Sequence, residues 1–300
     1  MYFEQKHRFS SHLSFLDFPS SSWLAQNQVS AQLIDILLIF IGAVLVNNMC
    51  NRLRIMRDQN LFPGLIWVFL HNLYPSIACH SPIIISNLLV LIAIWTLLSQ
   101  YKKAYSRVPL LRVGFLMGLS MLFWLPSALG IITVLIGKRV LMNPKWEDYA
   151  SFLFGILSPL ILMFTYLFAI GEELTLLAYL QSWAIYQPVI QIFPWPKALS
   201  WGTALVFSTL PLIFYNLLHN KVNIQIDKYL EVLYWVLLIS GISLFLIPSW
   251  QGVYFTIVIF PLAIFGGMLF HNMSKSAAEL VHLLLIAHVL FWQYGPLALT

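Results

Sequence analysis

The chain has 300 residues, 60% of them hydrophobic and 9% charged, with a mean hydropathy of +0.83. Soluble domains carry about 25% charged residues, so this composition excludes a globule that covers itself with polar surface and leaves an all-α, membrane-embedded protein. The net charge of +5 does not point to nucleic acid, because most basic residues lie in short stretches between apolar runs, where they orient membrane spans.

Residues 1–31 are polar and mixed, without the continuous apolar core of a secretory signal peptide. They read as a separate N-terminal segment, with an interfacial turn around Leu13 to Phe18 and Trp23 at the headgroups. A spanning helix needs roughly 17–25 apolar residues. Gln32 to Cys50, Leu61 to Ala78 and Pro82 to Ser99 meet that need. Arg52, Arg54 and Arg57 separate the first two, and a turn without Lys or Arg separates the second and third. A basic loop follows, with Lys102, Lys103, Arg107 and Arg112.

The stretch Val108 to Asn143 decides the sidedness of everything after it. As one helix of about 32 residues it would be near 48 Å long, against about 30 Å of hydrocarbon. Pro126 removes a backbone donor and disfavours helix at Leu125. The stretch therefore divides into Leu110 to Trp124 and Ser127 to Met142, with Gly114, Gly118 and Gly130 allowing close packing. Trp146 to Ile170 is the next span, and 171–197 is an outer linker with an amphipathic first half. Ala198 to Leu218, Tyr229 to Ile247, Gly252 to Phe270 and Ala277 to Gln293 complete the spans.

Charge counting selects between topologies. With two crossings in Val108 to Asn143, thirteen basic residues fall inside and only Lys6, Arg8 and Lys197 outside. With one crossing the count becomes eight to eight. The positive-inside bias favours two crossings. The expected architecture is a bundle of about ten spans with short broken helices, forming one domain over 32–293 with a short tail at 294–300. Both termini then lie outside. An ancestral count of eleven, with one further span before the first, would explain an outer N-terminus.

Ionisable residues inside a span are functional candidates. Asp35 lies about one turn inside the first span; it either serves a site or caps the helix start. His71 and Asn72 lie deep in the second span, and Tyr74 and His80 follow toward the outside. Together with Asp35 they form a candidate outward-facing cluster, or else a set of helix–helix hydrogen bonds. Asn72, Tyr74 and His80 are candidates for holding a substrate. Glu172 and Glu173 stand at the outer end of a span, and Glu147 and Asp148 at the start of one, as solvated helix ends or as acid and base. Glu279 and His282 share a helix face, but no further ligand completes a metal site. Cys50 and Cys79 read as small apolar residues. No phosphate-loop, dinucleotide, nucleophile-elbow or zinc-protease motif is present, and no metal or cofactor is expected.

The segments NRLRI, SPIIISNLLVLIAIW, VGFLMGLSMLFWLPSALGIITVLIGKRVL, NPKWEDYASFLFGILSPLILMFTYLF and FPLAIFGGMLFHNMSKSAAELVHLLLIAHVLFW resemble a family of uncharacterised multi-pass inner-membrane proteins of Bacteroidetes-type bacteria. The resemblance covers most of Gln32 to Gln293. Members usually begin with one further apolar span, which this sequence lacks. The layout is also similar to GT-C type glycosyltransferases, which use lipid-linked sugars and carry an acidic residue on the outer side after the first span. That similarity implies Asp17 or Asp35 as base, His71 and Glu172 near it, and a polyprenyl-phosphate lipid as partner. The long outer loop of those enzymes is short here. The resemblances imply an inner-membrane protein of cell-envelope assembly. A lipid-linked glycosyltransferase, a transporter, or a structural subunit bound to another membrane protein are the alternatives.

Overall fold

The computed structural model describes residues 28–56, 58–72, 81–103, 107–142, 145–171, 213–214, 223–245 and 256–294. The regular structure among these residues is all helical, with no strand. The helices are α1 (Gln28–Leu53), α2 (Phe62–His71), α3 (Ser81–Leu98), α4 (Arg107–Phe123), α5 (Gly130–Leu141), α6 (Trp146–Ile170), α7 (Ile224–Phe245), α8 (Thr256–Asn272) and α9 (Lys275–Tyr294). A 3₁₀ turn, Leu125–Leu129, joins α4 to α5.

Two described segments are long and apolar enough to cross a membrane, Gln32–Leu53 and Trp146–Ile170. The second, at about 37 Å, has only 22% of its most apolar window buried. Leu153, Phe154, Ile161, Leu162 and Phe168 on α6, and Leu33, Ile36, Leu37 and Phe40 on α1, are all exposed. Water-facing helices do not carry such continuous apolar faces.

Helix ends follow local chemistry. At the end of α1, the Ile55 N–H donates to the Cys50 carbonyl at 3.0 Å and the Arg54 N–H to the Asn51 carbonyl at 3.3 Å. This is a Schellman closure, and it holds Arg54 at φ +52°. Gly171 ends α6 in the left-handed conformation, φ +77°, which glycine adopts without cost. Pro159 inside α6 removes the donor that would reach the Gly155 carbonyl. The Ser158 hydroxyl donates to that carbonyl at 2.9 Å instead.

Within the stretch that begins at Val108, α4 and α5 form a helical hairpin. Trp124 is extended and buried, the Ser120 and Ser127 hydroxyls meet at 2.9 Å, and the chain reverses through the 3₁₀ turn. Pro126 sits at the turn's start, where its missing N–H is harmless. Helix α4 begins at Arg107, so Arg112, expected in the preceding loop, lies instead on the exposed side of its second turn. Helices α4 and α6 run parallel with backbones in contact. A Cβ on Gly114 would strike the Phe152 carbonyl, and one on Gly118 the Ile156 carbonyl and Pro159 ring. The small-residue spacing thus performs the close approach expected of it.

Helices α1 and α2 are antiparallel and equally tight. Gly42 lies under the indole of Trp67, whose Nε1–H donates to the Ile39 carbonyl at 3.0 Å. The Gly64 N–H, one of the unpaired donors of the first turn of α2, reaches Asn47 Oδ1 at 2.8 Å. Helix α8 lies beside α2, with Gly267 against Pro63 and Phe270 against Phe62. The shared core runs from Val46 and Trp67 through Leu91, Ile94 and Leu97 to Leu233 and Phe265.

Candidate functional site

Two polar regions lie at opposite ends of this bundle. At one end stand Asp35 and His71. The bonds Asn47–Gly64 and Ile39–Trp67 set the register of α1 against α2. One further turn along each antiparallel helix brings Asp35 and His71 to the same level. Both are buried, Asp35 at 0% exposure. His71 Nδ1 lies 2.9 Å from the Trp67 carbonyl oxygen and its ring lies 4.4 Å from the Trp67 ring. A carbonyl only accepts, so Nδ1 carries a proton, and in the neutral ring Nε2 then presents its lone pair. Nε2 is buried with no hydrogen-bond partner among the described residues.

The other expected members divide. Asn72 is the C-cap of α2, and its Nδ2 donates to the Val68 carbonyl at 2.8 Å, the local bond of a helix end. Asp17, Tyr74, His80 and Glu172, with the linker 171–197 beyond Gly171, lie outside the described residues. Among the described residues, no three His, Cys, Asp or Glu side chains converge on a metal position. His282 instead makes an edge-on contact with Phe69, ring centroids 5.5 Å apart.

The second region collects the basic residues. An open cleft of about 580 Å³ lies among the loop after α3, the start of α4, the end of α5, and the starts of α6 and α7. Seven cations line it: Lys102, Lys103, Arg107, Lys138, Arg139, Lys145 and Lys228. Two carboxylates line it, Glu147 and Asp148. A neighbouring cleft of about 870 Å³ holds Arg52 and Arg54 with Trp95, Asn223 and Tyr229. The Tyr101–Tyr229 edge contact, centroids 6.0 Å apart, stands between the two. Nine of the thirteen cations that charge counting assigned to one side line these two clefts, while Arg57 and Lys221 lie outside the described residues.

The cleft is floored by a buried ion pair. Lys138 Nζ is 3.0 Å from Asp148 Oδ2, with the lysine side chain 2% exposed. Asp148 also accepts from the Lys145 backbone N–H at 3.1 Å, which closes the start of α6. Lys138 stands in the last turn of α5 and Asp148 in the first turn of α6, each where the helix dipole favours its charge. Glu147 pairs with Arg107. Lys228 pairs with Glu231 at 2.7 Å, and that carboxylate raises the lysine above its ordinary pKa. Of the two expected solvated helix ends, Asp148 is instead buried against Lys138, whereas Glu147 is ion-paired and 38% exposed. The available sequence signal was a basic last turn and an acidic first turn facing each other across a short connection.

A third feature is a small interior cavity of about 40 Å³ near the hairpin tip, lined by Asn87, Ser127, Thr133, Ser240 and Ser243. Asn87 Nδ2 donates to Thr256 Oγ1 at 2.9 Å beside it, and Ser86 Oγ to the Ser120 carbonyl at 3.1 Å. These bonds tie α3 to α8 and α4 without ionisable groups.

No family model, curated protein or solved structure matches this chain.

Proposed function

We propose that the chain is a multi-pass integral protein of a bacterial inner membrane that serves cell-envelope assembly. The observation that carries the membrane part is α6: 25 residues whose most apolar 18-residue window has mean hydropathy 2.2, and an outward face built of Leu153, Phe154, Ile161, Leu162 and Phe168. In water that face would be costly at about 25 cal/mol per Å²; in a bilayer it faces its natural solvent. The gathering of basic side chains at one end supports an orientation with that end in the cytoplasm. On this reading the hairpin α4–α5 crosses twice, with its tip outside. The full count is about ten spans, the remainder lying outside the described residues. The envelope role rests on the resemblance of the sequence to inner-membrane proteins of Bacteroidetes-type bacteria.

Two measurements test this. The protein should stay in the membrane pellet after an alkaline carbonate wash and leave it only with detergent; recovery in the wash would sink the reading. In a variant with Cys50 and Cys79 replaced, Ala128→Cys should react with a membrane-impermeant maleimide on intact spheroplasts, and Lys103→Cys only after lysis. The opposite pattern would invert the topology.

A second reading, a transferase using a polyprenyl-phosphate sugar, is favoured by the shared level of Asp35 and His71. Asp35 and a neutral His71 with its Nε2 lone pair available supply the acid–base character such a step needs. Proteoliposomes given a polyprenyl-phosphate sugar should consume it, and Asp35→Asn should reduce that at least a hundredfold. Equal consumption by the variant would remove the reading.

A further inference from the structure

We infer that the cleft floored by Lys138 and Asp148 is a binding site for a phosphate-bearing anion, either the headgroup of an anionic phospholipid or a free phosphate. Three observations carry this. The first is charge: seven cations face two carboxylates in one cleft. Both carboxylates are engaged within the protein, Glu147 by Arg107 and Asp148 by Lys138 and the Lys145 N–H. Among the described residues, no carboxylate pairs with Lys102, Lys103, Arg139 or Lys145. Among the described residues, four ammonium or guanidinium groups therefore converge without a paired carboxylate, and mutual repulsion disfavours that arrangement unless an anion screens it.

The second observation is construction. The cleft is formed by five separate chain segments, and its floor is a buried ion pair that fixes the end of α5 against the start of α6. Arg107 pairs with Glu147 at the wall nearest α4. A floor set by buried charges and a rim of long, exposed cations is the form in which proteins hold phosphate oxygens. The volume, about 580 Å³, suits a headgroup or a small phosphate compound and exceeds the need of a single ion.

The third is the lip. Val140, Leu141 and Met142 line the same cleft. Apolar side chains beside converging cations match a ligand whose phosphate leads into acyl chains, as in basic pockets between spanning helices on the cytoplasmic side. The headgroup source rests on the membrane reading above; the free-phosphate source does not.

The test uses the purified full-length protein in a neutral detergent. Its melting temperature and bound lipid, by native mass spectrometry, are followed with phosphatidylglycerol, with phosphatidylcholine and with inorganic phosphate. The expected result is a rise in melting temperature and retained adducts with phosphatidylglycerol but not phosphatidylcholine. The variant Lys103→Gln/Arg139→Gln/Lys145→Gln should weaken that response at least tenfold. These three side chains are at the rim, so the variant should fold, checked by an unchanged melting temperature without lipid. Arg52→Gln/Arg54→Gln, in the neighbouring cleft, should leave the response intact. Protection by millimolar inorganic phosphate that displaces the lipid assigns the site to free phosphate; protection by lipid alone assigns it to a headgroup. No response to either probe, or an equal response from the triple variant, overturns the proposal. Failure of the carbonate-wash experiment would remove the headgroup source while leaving the phosphate arm readable.

Discussion

Removing one partner of the Lys138–Asp148 pair should damage the protein far more than removing the charge of both. The two charges are 3.0 Å apart, and the lysine is 2% exposed. At an effective dielectric constant of about 20, that separation corresponds to an attraction of roughly 5–6 kcal/mol. Desolvating the two ions costs a comparable amount, so the intact pair nets close to zero. Lys138→Met leaves a carboxylate buried without its counter-ion, and the expected loss is about 3–5 kcal/mol. Asp148→Asn keeps an acceptor for the Lys145 N–H, so its cost is confined to the stranded ammonium and falls in the same range of about 3–5 kcal/mol. The double variant Lys138→Met/Asp148→Asn should recover most of this and lie within about 1–2 kcal/mol of the parent. Unfolding in mixed micelles by an SDS titration, followed by tryptophan fluorescence and circular dichroism, measures all four proteins. Two single variants that each cost under about 1 kcal/mol and add without coupling would show that the pair is solvated and would refute the account of the cleft floor.

Other substitutions probe the tight helix contacts. Gly114→Leu drives a side chain into the Phe152 carbonyl on α6 and should prevent a monodisperse preparation, whereas Gly114→Ala should cost about 1–3 kcal/mol in the same titration. Trp67→Phe removes the donor to the Ile39 carbonyl and should cost about 1–3 kcal/mol, with the near-ultraviolet dichroism of the buried indole lost. Asn47→Leu strands the Gly64 N–H at the start of α2 and should cost about 1–3 kcal/mol; a neutral result would mean that another acceptor replaces it. Arg54→Gly relieves a non-glycine residue at φ +52° and should raise stability by about 1 kcal/mol, read as a shifted unfolding midpoint.

Much of the helix layout was legible before any coordinates, because apolar runs, prolines and basic stretches are local signals. Trp146 to Ile170 was bounded exactly, and Pro82 to Ser99 to within a residue at each end. The second span matches only as far as His71, after which residues 73–80 are not described. For the candidate site, the sequence placed Asp35 and His71 on neighbouring spans. Asp35 and His71 do share a level, since both lie on antiparallel neighbours and one turn on each leads from the Ile39–Trp67 bond. Their burial depends on which helix faces meet, which apolar sequence without strong periodicity does not encode.

Composition and charge placement alone pointed to an apolar, helical chain and to a reversal at Leu125-Pro126. Those conclusions follow from backbone chemistry and from where charge resists burial. Only the tertiary structure decided that Lys138 is buried against Asp148, and that Lys103, Arg139, Lys145 and Lys228 surround one cleft. A lysine near a helix end looks the same in sequence whether it reaches solvent or a carboxylate. What distinguishes the two is the desolvation imposed by α3 and α7, whose Leu97 and Val232 pack against Gly137 beside Lys138; these elements lie far from each other in the chain and meet only in the folded bundle.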